Sequence, residues 1–309
     1  MKKVFIDGSA GTTGLRIFER LSAREDITLL TLGEDKRKDP TARKEMLNAA
    51  DVAFLCLPDD AAREAVAMLE NEETVVLDTS TAHRTAPGWC YGFPELSPER
   101  EAAVRTAKRI AVPGCHASGF IALTYPLIEA GVLKKDALLS CHSLTGYSGG
   151  GKKMIAEYEG DGRDALLGAP RQYGLTQAHK HLKEMAFVTG LSNAPLFSPI
   201  VADFYSGMEV SVPLFASQLS GIALADVKKI YAEKYHSPIV SFVEGGDEGG
   251  FLSAGKLSLL DRMEISVYGN DERILLVARY DNLGKGASGA ALECMNLSLG
   301  LPAEYGLSL

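Results

Sequence analysis

Two apolar patterns alternate along the first part of the chain. Short runs at Lys3–Asp7, Ile27–Leu32, Asp51–Leu57, Thr74–Leu77 and Arg109–Val112 are continuously apolar at their centres, the pattern of strands buried on both faces. Between them, Leu15, Phe18 and Leu21 recur at three-residue spacing, and Ala61–Leu69 follows the acids Asp59 and Asp60, which cap a helix start. Strand–helix alternation of this kind predicts an α/β fold with a doubly wound parallel sheet, in which ligands lie at the carboxyl ends of the strands. Gly8, Pro58, Ser80 and Cys115 each follow such an end, so coenzyme loop and thiol are expected to face one crevice. Beyond Phe120 the pattern changes. A helix is expected over Ile121–Ala130 and strands over Ala137–Ser143, Phe187–Leu191, Gly207–Leu214, Ile239–Phe242, Arg262–Tyr268 and Ile274–Tyr280. With a helix at Ala225–Tyr235 among them, these predict a separate α+β domain with a mixed or antiparallel sheet. A last amphipathic helix, Ala290–Leu299, is suited to return to the first domain.

The first strand runs straight into Gly8-Ser9-Ala10-Gly11-Thr12-Thr13-Gly14, and a helix follows. Strand, glycine loop and helix are the context of a Rossmann-type dinucleotide site, where glycines let backbone approach a pyrophosphate at a helix N-terminus. The spacing is G-x-x-G-x-x-G rather than G-x-G-x-x-G. The second strand decides the coenzyme. It ends in Gly33-Glu34-Asp35 and continues into Lys36-Arg37-Lys38. Three cations suit a ribose 2′-phosphate, and Glu34 leaves a 2′-hydroxyl open, so the reading leans to NADP over NAD, with a solvated basic loop as the bland alternative.

A chain of 309 residues is long for one core, which agrees with two domains. The net charge of −8 argues against a general nucleic-acid or anionic-membrane partner and draws attention to any cation near a site for anions. No apolar run approaches the roughly 18 residues of a membrane span. The stretch Val4–Ile6 behind Met1-Lys2-Lys3 is too short for a signal peptide. Cys56, Cys90, Cys115, Cys141 and Cys294 form neither a C-x-x-C pair nor a metal-ligand spacing, and their odd number fits reduced thiols in the cytoplasm.

One of these thiols is placed for chemistry. Cys115 follows Ile110-Ala111-Val112-Pro113-Gly114 and precedes a small-residue run into Phe120–Leu123, a strand, a sharp turn and a helix start. Backbone N–H groups there stabilise a thiolate, the nucleophilic form, although most cysteines outside disulfides are structural. His179-Lys180-His181 offers an imidazole partner of suitable pKa, while histidines at i, i+2 do not share a helix face for a metal. A solvated helix start is the alternative for that segment. Gly149-Gly150-Gly151 with Lys152 and Lys153 suggests a flexible loop rich in open N–H groups, suited to an oxyanion or carboxylate, or else a plain surface turn. Tyr280-Asp281-Asn282-Leu283-Gly284-Lys285-Gly286-Ala287-Ser288-Gly289 opens the last helix with small residues that allow close backbone approach to a ligand.

Taken together, Gly8–Gly14, Asp78–Arg84, Tyr91–Glu95, Pro113-Gly114-Cys115, His179-Lys180-His181 and Asn282–Gly289 resemble the N-acetyl-γ-glutamyl-phosphate reductases of arginine biosynthesis in their shorter form. The resemblance spans the whole chain. It implies the architecture of glyceraldehyde-phosphate and aspartate-semialdehyde dehydrogenases, with a coenzyme domain at 1–116 completed by 285–309 and a catalytic and dimerisation domain at 117–284. It implies NADPH-dependent reduction of an acyl phosphate through a Cys115 thioester, with His179 or His181 as acid–base residue. It further implies Arg84, Gly149 and Lys152 as binders of substrate anions, and Ser80, Asn282 and Gly286 around the nicotinamide. A homodimer or homotetramer is implied as well. The chain departs from the usual family pattern at His116, where an aromatic is common, at Ser118, where threonine is common, and at Glu293, where many relatives have glutamine. An aminoadipyl-phosphate reductase or an aspartate-semialdehyde dehydrogenase shares the chemistry, and a nucleotide-binding regulator without catalysis is the alternative from another class.

Overall fold

The computed structural model describes residues 1–309 and divides into two compact units, Met1–Gly114 with Ala287–Leu307, and Cys115–Gly286 with Ser308–Leu309. In chain order the first unit holds β1 (Lys2–Asp7), α1 (Thr12–Ser22), β2 (Ile27–Leu30), α2 (Pro40–Ala49), β3 (Val52–Leu55), α3 (Asp59–Ala67), β4 (Val75–Asp78), β5 (Cys90–Tyr91), α4 (Pro98–Thr106) and β6 (Arg109–Ala111). All six strands are parallel, in the order β2-β1-β3-β4-β6-β5. Alternate residues feed opposite faces. Val4, Ile6, Val52, Phe54 and Leu77 join Ile17, Leu21 and Val104 in one core layer, while Phe5, Ala53, Leu55 and Val76 join Leu47, Ala62 and Ala65 in the other. This is the doubly wound sheet expected from the apolar runs.

Register aligns the functional ends of these strands. Asp7, Leu55, Asp78 and Ala111 lie in one row across β1, β3, β4 and β6, so the loops bearing Gly8, Pro58 and Ser80 leave from the same edge. Strand order reverses at β1, the switch point at which such sheets bind ligands.

The second unit begins with α5 (Cys115–Glu129) and continues through β7 (Ser140–Gly146), α6 (Gly151–Glu159), β8 (Arg171–Gln172), α7 (His181–Thr189), β9 (Leu196–Ala202), β10 (Met208–Phe215), α8 (Leu224–Lys234), β11 (Val240–Phe242), β12 (Met263–Gly269) and β13 (Arg273–Tyr280). Its mixed seven-stranded sheet has the order β11-β12-β13-β10-β7-β9-β8, with α5 and α8 on one face. The chain then returns to the first unit with α9 (Gly289–Ser298), whose Ala291, Leu292, Cys294 and Met295 enter the first core layer.

Three local expectations are corrected. Phe187–Leu191 is not a strand. His181, Glu184, Met185 and Val188 are buried at helical spacing, α7 runs to Thr189, and Gly190 ends it at φ +74°. The helix expected from Ile121 starts six residues earlier, at Cys115. The small residues of its first turns serve packing: a Cβ on Gly119 would lie 2.7 Å from the Tyr280 hydroxyl and 2.7 Å from Val210. Finally, the glycine segment after β7 is a built corner. The N–H groups of Gly146, Tyr147 and Ser148 donate to the carbonyls of Gly207, Phe204 and Tyr205, and α6 starts at Gly151.

Candidate active site

In the first unit, the loop after β1 has the shape a dinucleotide needs. Gly8 sits at φ +90°, and a Cβ there would come within 2.2 Å of the Cys56 carbonyl oxygen at the end of β3. A Cβ on Gly14 would come within 2.4 Å of the Gly8 carbonyl oxygen, so both positions require glycine. Gly11 is the N-cap of α1 and no side chain caps that helix, leaving its first N–H groups toward the loop. The hydroxyls of Ser9, Thr12 and Thr13 make no hydrogen bond within the protein. Glycine cradle, uncapped helix start and unengaged hydroxyls fit a pyrophosphate. Beyond β2, Lys36, Arg37 and Lys38 are all exposed. Arg37 reaches Glu34 at 3.5 Å, and no carboxylate pairs with Lys36 or Lys38. Pro58 is the N-cap of α3.

The segment after β4 is more tightly bound than the sequence suggests. The Ser80 hydroxyl donates to the buried Asp78 carboxylate at 2.8 Å, and the same carboxylate oxygen meets His83 Nδ1 at 2.6 Å. His83 in turn stacks on Trp89 with ring centroids 4.1 Å apart. Arg84 is buried. Its Nε donates to the Val112 carbonyl and a terminal nitrogen to the Thr79 carbonyl, each at 2.9 Å. The guanidinium expected to meet substrate anions thus braces the backbone that leads through Pro113-Gly114 to Cys115.

The thiol itself belongs to the second unit. Cys115 is the first residue of α5, where the helix dipole favours a thiolate. Tyr280 of β13 pins this turn. Its hydroxyl donates to the Cys115 carbonyl and accepts the Gly119 N–H at 3.0 Å. Gly286 packs on the other side, where a Cβ would stand 3.1 Å from Cys115 Cβ. Gly286, expected at the coenzyme, therefore lies against the nucleophile candidate.

Aromatic and imidazole rings gather around the next residue. His116 is 3% exposed, with Nδ1 2.7 Å from Ser143 Oγ and Nε2 2.7 Å from the Tyr173 hydroxyl. Its ring centroid lies 5.8 Å from His179, 5.6 Å from His181 and 5.4 Å from Phe197, and the His179 and His181 rings are 4.8 Å apart. The two histidines meet because α7 begins at His181, leaving His179 ahead of the helix and off its face geometry. His179 Nδ1 accepts the His181 backbone N–H at 3.3 Å, which assigns the proton of a neutral His179 to Nε2. Burial, then repulsion from His179 and Lys180, pushes His116 down to about 3, and burial with Lys180 also lowers His179. The Tyr173 phenol is raised, first by burial and then by the negative charge of the Cys115 thiolate.

Asn282 is also buried. Its Oδ1 accepts the Gly207 N–H and its Nδ2 donates to Ser148 Oγ, both at 2.9 Å, and Gly149 packs beside that amide. Lys152 and Lys153 are exposed on the first turn of α6, without ion-pair partners. Sequence reasoning left Tyr173, Ser143 and Tyr280 without a role. The signals were thin: a tyrosine six residues before His179, and strand alternation that turns Ser143 to the α5 face with Val210.

Family models agree with this division. Residues 3–104 match the NAD binding domain of semialdehyde dehydrogenase, and 115–282 match its dimerisation domain. The N-acetyl-gamma-glutamyl-phosphate reductase 2 of Nostoc sp. is 43% identical over 99% of each chain. The reductase of Chelativorans sp. is 45% identical, covering 96% of this chain and 98% of its own, and reductase 2 of Pseudomonas putida is 43% identical over 98% of each. Among solved structures, aspartate semialdehyde dehydrogenase II of Vibrio cholerae superposes with a TM-score of 0.72 at 17% identity, over 97% of this chain and 98% of that one, which shows the shared fold. The chain belongs to the semialdehyde dehydrogenase family, in its N-acetyl-γ-glutamyl-phosphate reductase branch.

Proposed function

We propose that the protein reduces N-acetyl-L-glutamyl 5-phosphate to N-acetyl-L-glutamate 5-semialdehyde and phosphate, through a thioester on Cys115. The observation that carries this reading is the histidine cluster at the start of α5, next to Cys115, in a chain 43–45% identical to reductases of that name. The Cys115 thiolate forms a C–S bond to the acyl carbonyl, and the tetrahedral adduct breaks its C–O bond to release phosphate. NADPH, held by Gly8, Ser9, Gly11, Thr12, Thr13 and Gly14 with Lys36, Arg37 and Lys38 at the 2′-phosphate, supplies a hydride when bound. Collapse of the resulting hemithioacetal frees the semialdehyde and returns the thiolate. His181 exchanges the proton in these steps, because the Nδ1 of His179 is engaged by the His181 backbone N–H.

Arg84 acts as a positioning residue for the turn before Cys115, and Lys152 with the Gly149 corner remains the candidate for substrate anions. Ser80, Pro58 and Asn282 are placed near the coenzyme by the same reading. On the sheet face opposite α5 and α8, Val277, Arg279, Glu264 and Ser266 are buried, while the region around the end of β10 and the start of β9 is exposed. Phe215 is 63% and Leu196 62% exposed there, beside exposed Pro213 and His142, which supports a homo-oligomer. A reducing cytoplasm suits a chemistry that needs a thiolate, and no disulfide joins the five cysteines.

The test is the reverse reaction, NADP⁺ reduction by N-acetylglutamate semialdehyde in the presence and absence of phosphate, with aspartate semialdehyde for comparison. Phosphate-dependent turnover of the acetylglutamyl substrate is expected. Cys115→Ala and Cys115→Ser should abolish it and retain coenzyme binding. Substantial turnover by Cys115→Ala would overturn the covalent route.

A further inference from the structure

The segment that carries Tyr173, His179 and His181 is stitched to the edge of the second sheet. β8 pairs with β9 for only two residues, Arg171 with Val201 and Gln172 with Ile200, and the Tyr173 N–H then reaches the Pro199 carbonyl. At Gly174, with φ +65°, the chain turns away from β9. The backbone of the next alternate residue of β9, Phe197, would lie open at this edge. Gln177 closes it with a side chain. Its Nε2 donates to the Phe197 carbonyl at 2.8 Å, and its Oε1 accepts the Phe197 N–H at 2.9 Å. One amide thus makes both bonds that a neighbouring strand would make.

Gln177 makes this clasp from a backbone conformation that glutamine disfavours. Its φ is +54°, left-handed, and its N–H donates to the Gly174 carbonyl at 3.0 Å to close the turn. Glycine would fill the position without strain, so the turn alone does not account for a glutamine. What the clasp fixes lies two residues on. The Phe197 ring, fastened through its own backbone, packs edge-on against His179 with centroids 5.1 Å apart. His179 Nδ1 in turn accepts the backbone N–H of His181 at 3.3 Å, at a helix start that the N-cap residue Lys180 does not itself cap.

We propose that Gln177 is a positioning residue: its amide docks the turn of residues 174–179 on β9, and so fixes His179 in the ring cluster and, through the His181 N–H, the start of α7. Without the amide the turn is tethered only at its ends. His179 is then free to leave Phe197, the His181 N–H loses its acceptor, and the His181 ring loses its fixed place. The effect on turnover rests on the proposed reaction, in which His181 exchanges the proton.

Two measurements on the full-length protein test this, one of them blind to the reaction. Trypsin cuts after Arg171 and Lys180, so the peptide 172–180 carries His179 as its one histidine. Carbethoxylation of that peptide by diethyl pyrocarbonate is timed by mass spectrometry, with the exposed His142 and His236 as internal controls. Gln177→Gly should speed labelling of His179 about tenfold and leave the controls unchanged. In the phosphate-dependent assay it should lower kcat about tenfold, with KM for the semialdehyde and NADPH binding near their original values. Glycine suits the left-handed backbone, so a position that only shapes the turn would leave kcat in place. Gln177→Glu keeps the bond from the Phe197 N–H but sets a second oxygen against the Phe197 carbonyl, and should fall with the glycine variant. Unchanged His179 labelling or unchanged kcat in Gln177→Gly overturns the proposal. Unchanged kcat beside an inactive Cys115→Ala overturns the positioning role alone and leaves the proposed reaction standing. Turnover retained by Cys115→Ala overturns the proposed reaction instead, and the His179 labelling rate still decides whether Gln177 holds that imidazole.

Discussion

His116 spends both ring nitrogens inside the protein, and this has a cost that depends on pH. Its folded-state pKa is about 3, against 6.5 for an unhindered imidazole, so between these values the unfolded chain binds the extra proton and the folded one does not. The stabilisation is complete above pH 6.5 and is withdrawn as pH falls toward 3. Urea midpoints measured from pH 6.5 to 5, above the range where ordinary carboxylates titrate, should therefore fall more steeply for the natural protein than for His116→Phe. Parallel slopes would show that the imidazole is not held neutral. Residue by residue, the sequence displayed the reactive types but not their commitments. Cys115, His179 and His181 stood out because thiols and imidazoles are rare and chemically distinct. Arg84 looked like an anion binder because nothing local revealed that its guanidinium meets the carbonyls of Thr79 and Val112, the latter 28 positions away.

Elements were legible where their pattern is long or their punctuation sharp. The parallel strands and the glycine loop were read correctly because buried strands are continuously apolar and the loop's steric demands are written in glycine. The end of α7 was misread since Phe187–Leu191, taken alone, is short and apolar, and short apolar runs do not distinguish strand from helix. The turn at Pro113-Gly114 announced a helix start, but the range of α5 was set at the apolar run from Ile121, six residues late, because its first turns are built from small residues. The steric claim at the glycine loop is testable. Gly8→Ala should lower stability by about 1–3 kcal/mol and weaken NADPH binding, as measured by thermal unfolding with and without coenzyme. Gly88 is the control: its φ is +79°, but a Cβ there meets nothing within 4 Å. Gly88→Ala should show backbone strain only, and equal effects at the two sites would refute close packing of the loop on Cys56.

For the molecule as a whole, the chain leaves its first unit at Gly114, returns at Ala287, and runs past itself where Gly286 abuts Cys115. The family models match 3–104 and 115–282, so α9 lies beyond both matches although it completes the first core. At this scale the exposed part of the seven-stranded sheet around Phe215 carries a prediction. Phe215→Glu should shift the protein toward monomer in sedimentation velocity, without lowering the melting point of the dissociated chain. An unchanged oligomer would place the contact elsewhere.

The pin formed by Tyr280 bears on the timing of order at the proposed nucleophile. The first turn of a helix is where fraying is easiest, and a thiol placed there would ordinarily sample many positions. Here one hydroxyl from the sheet holds both the Cys115 carbonyl and the Gly119 N–H, so opening that turn also requires breaking contacts with β13. If Cys115 is the nucleophile, as proposed, its conformational entropy is surrendered once, when the chain folds, and not again each time an acyl phosphate arrives.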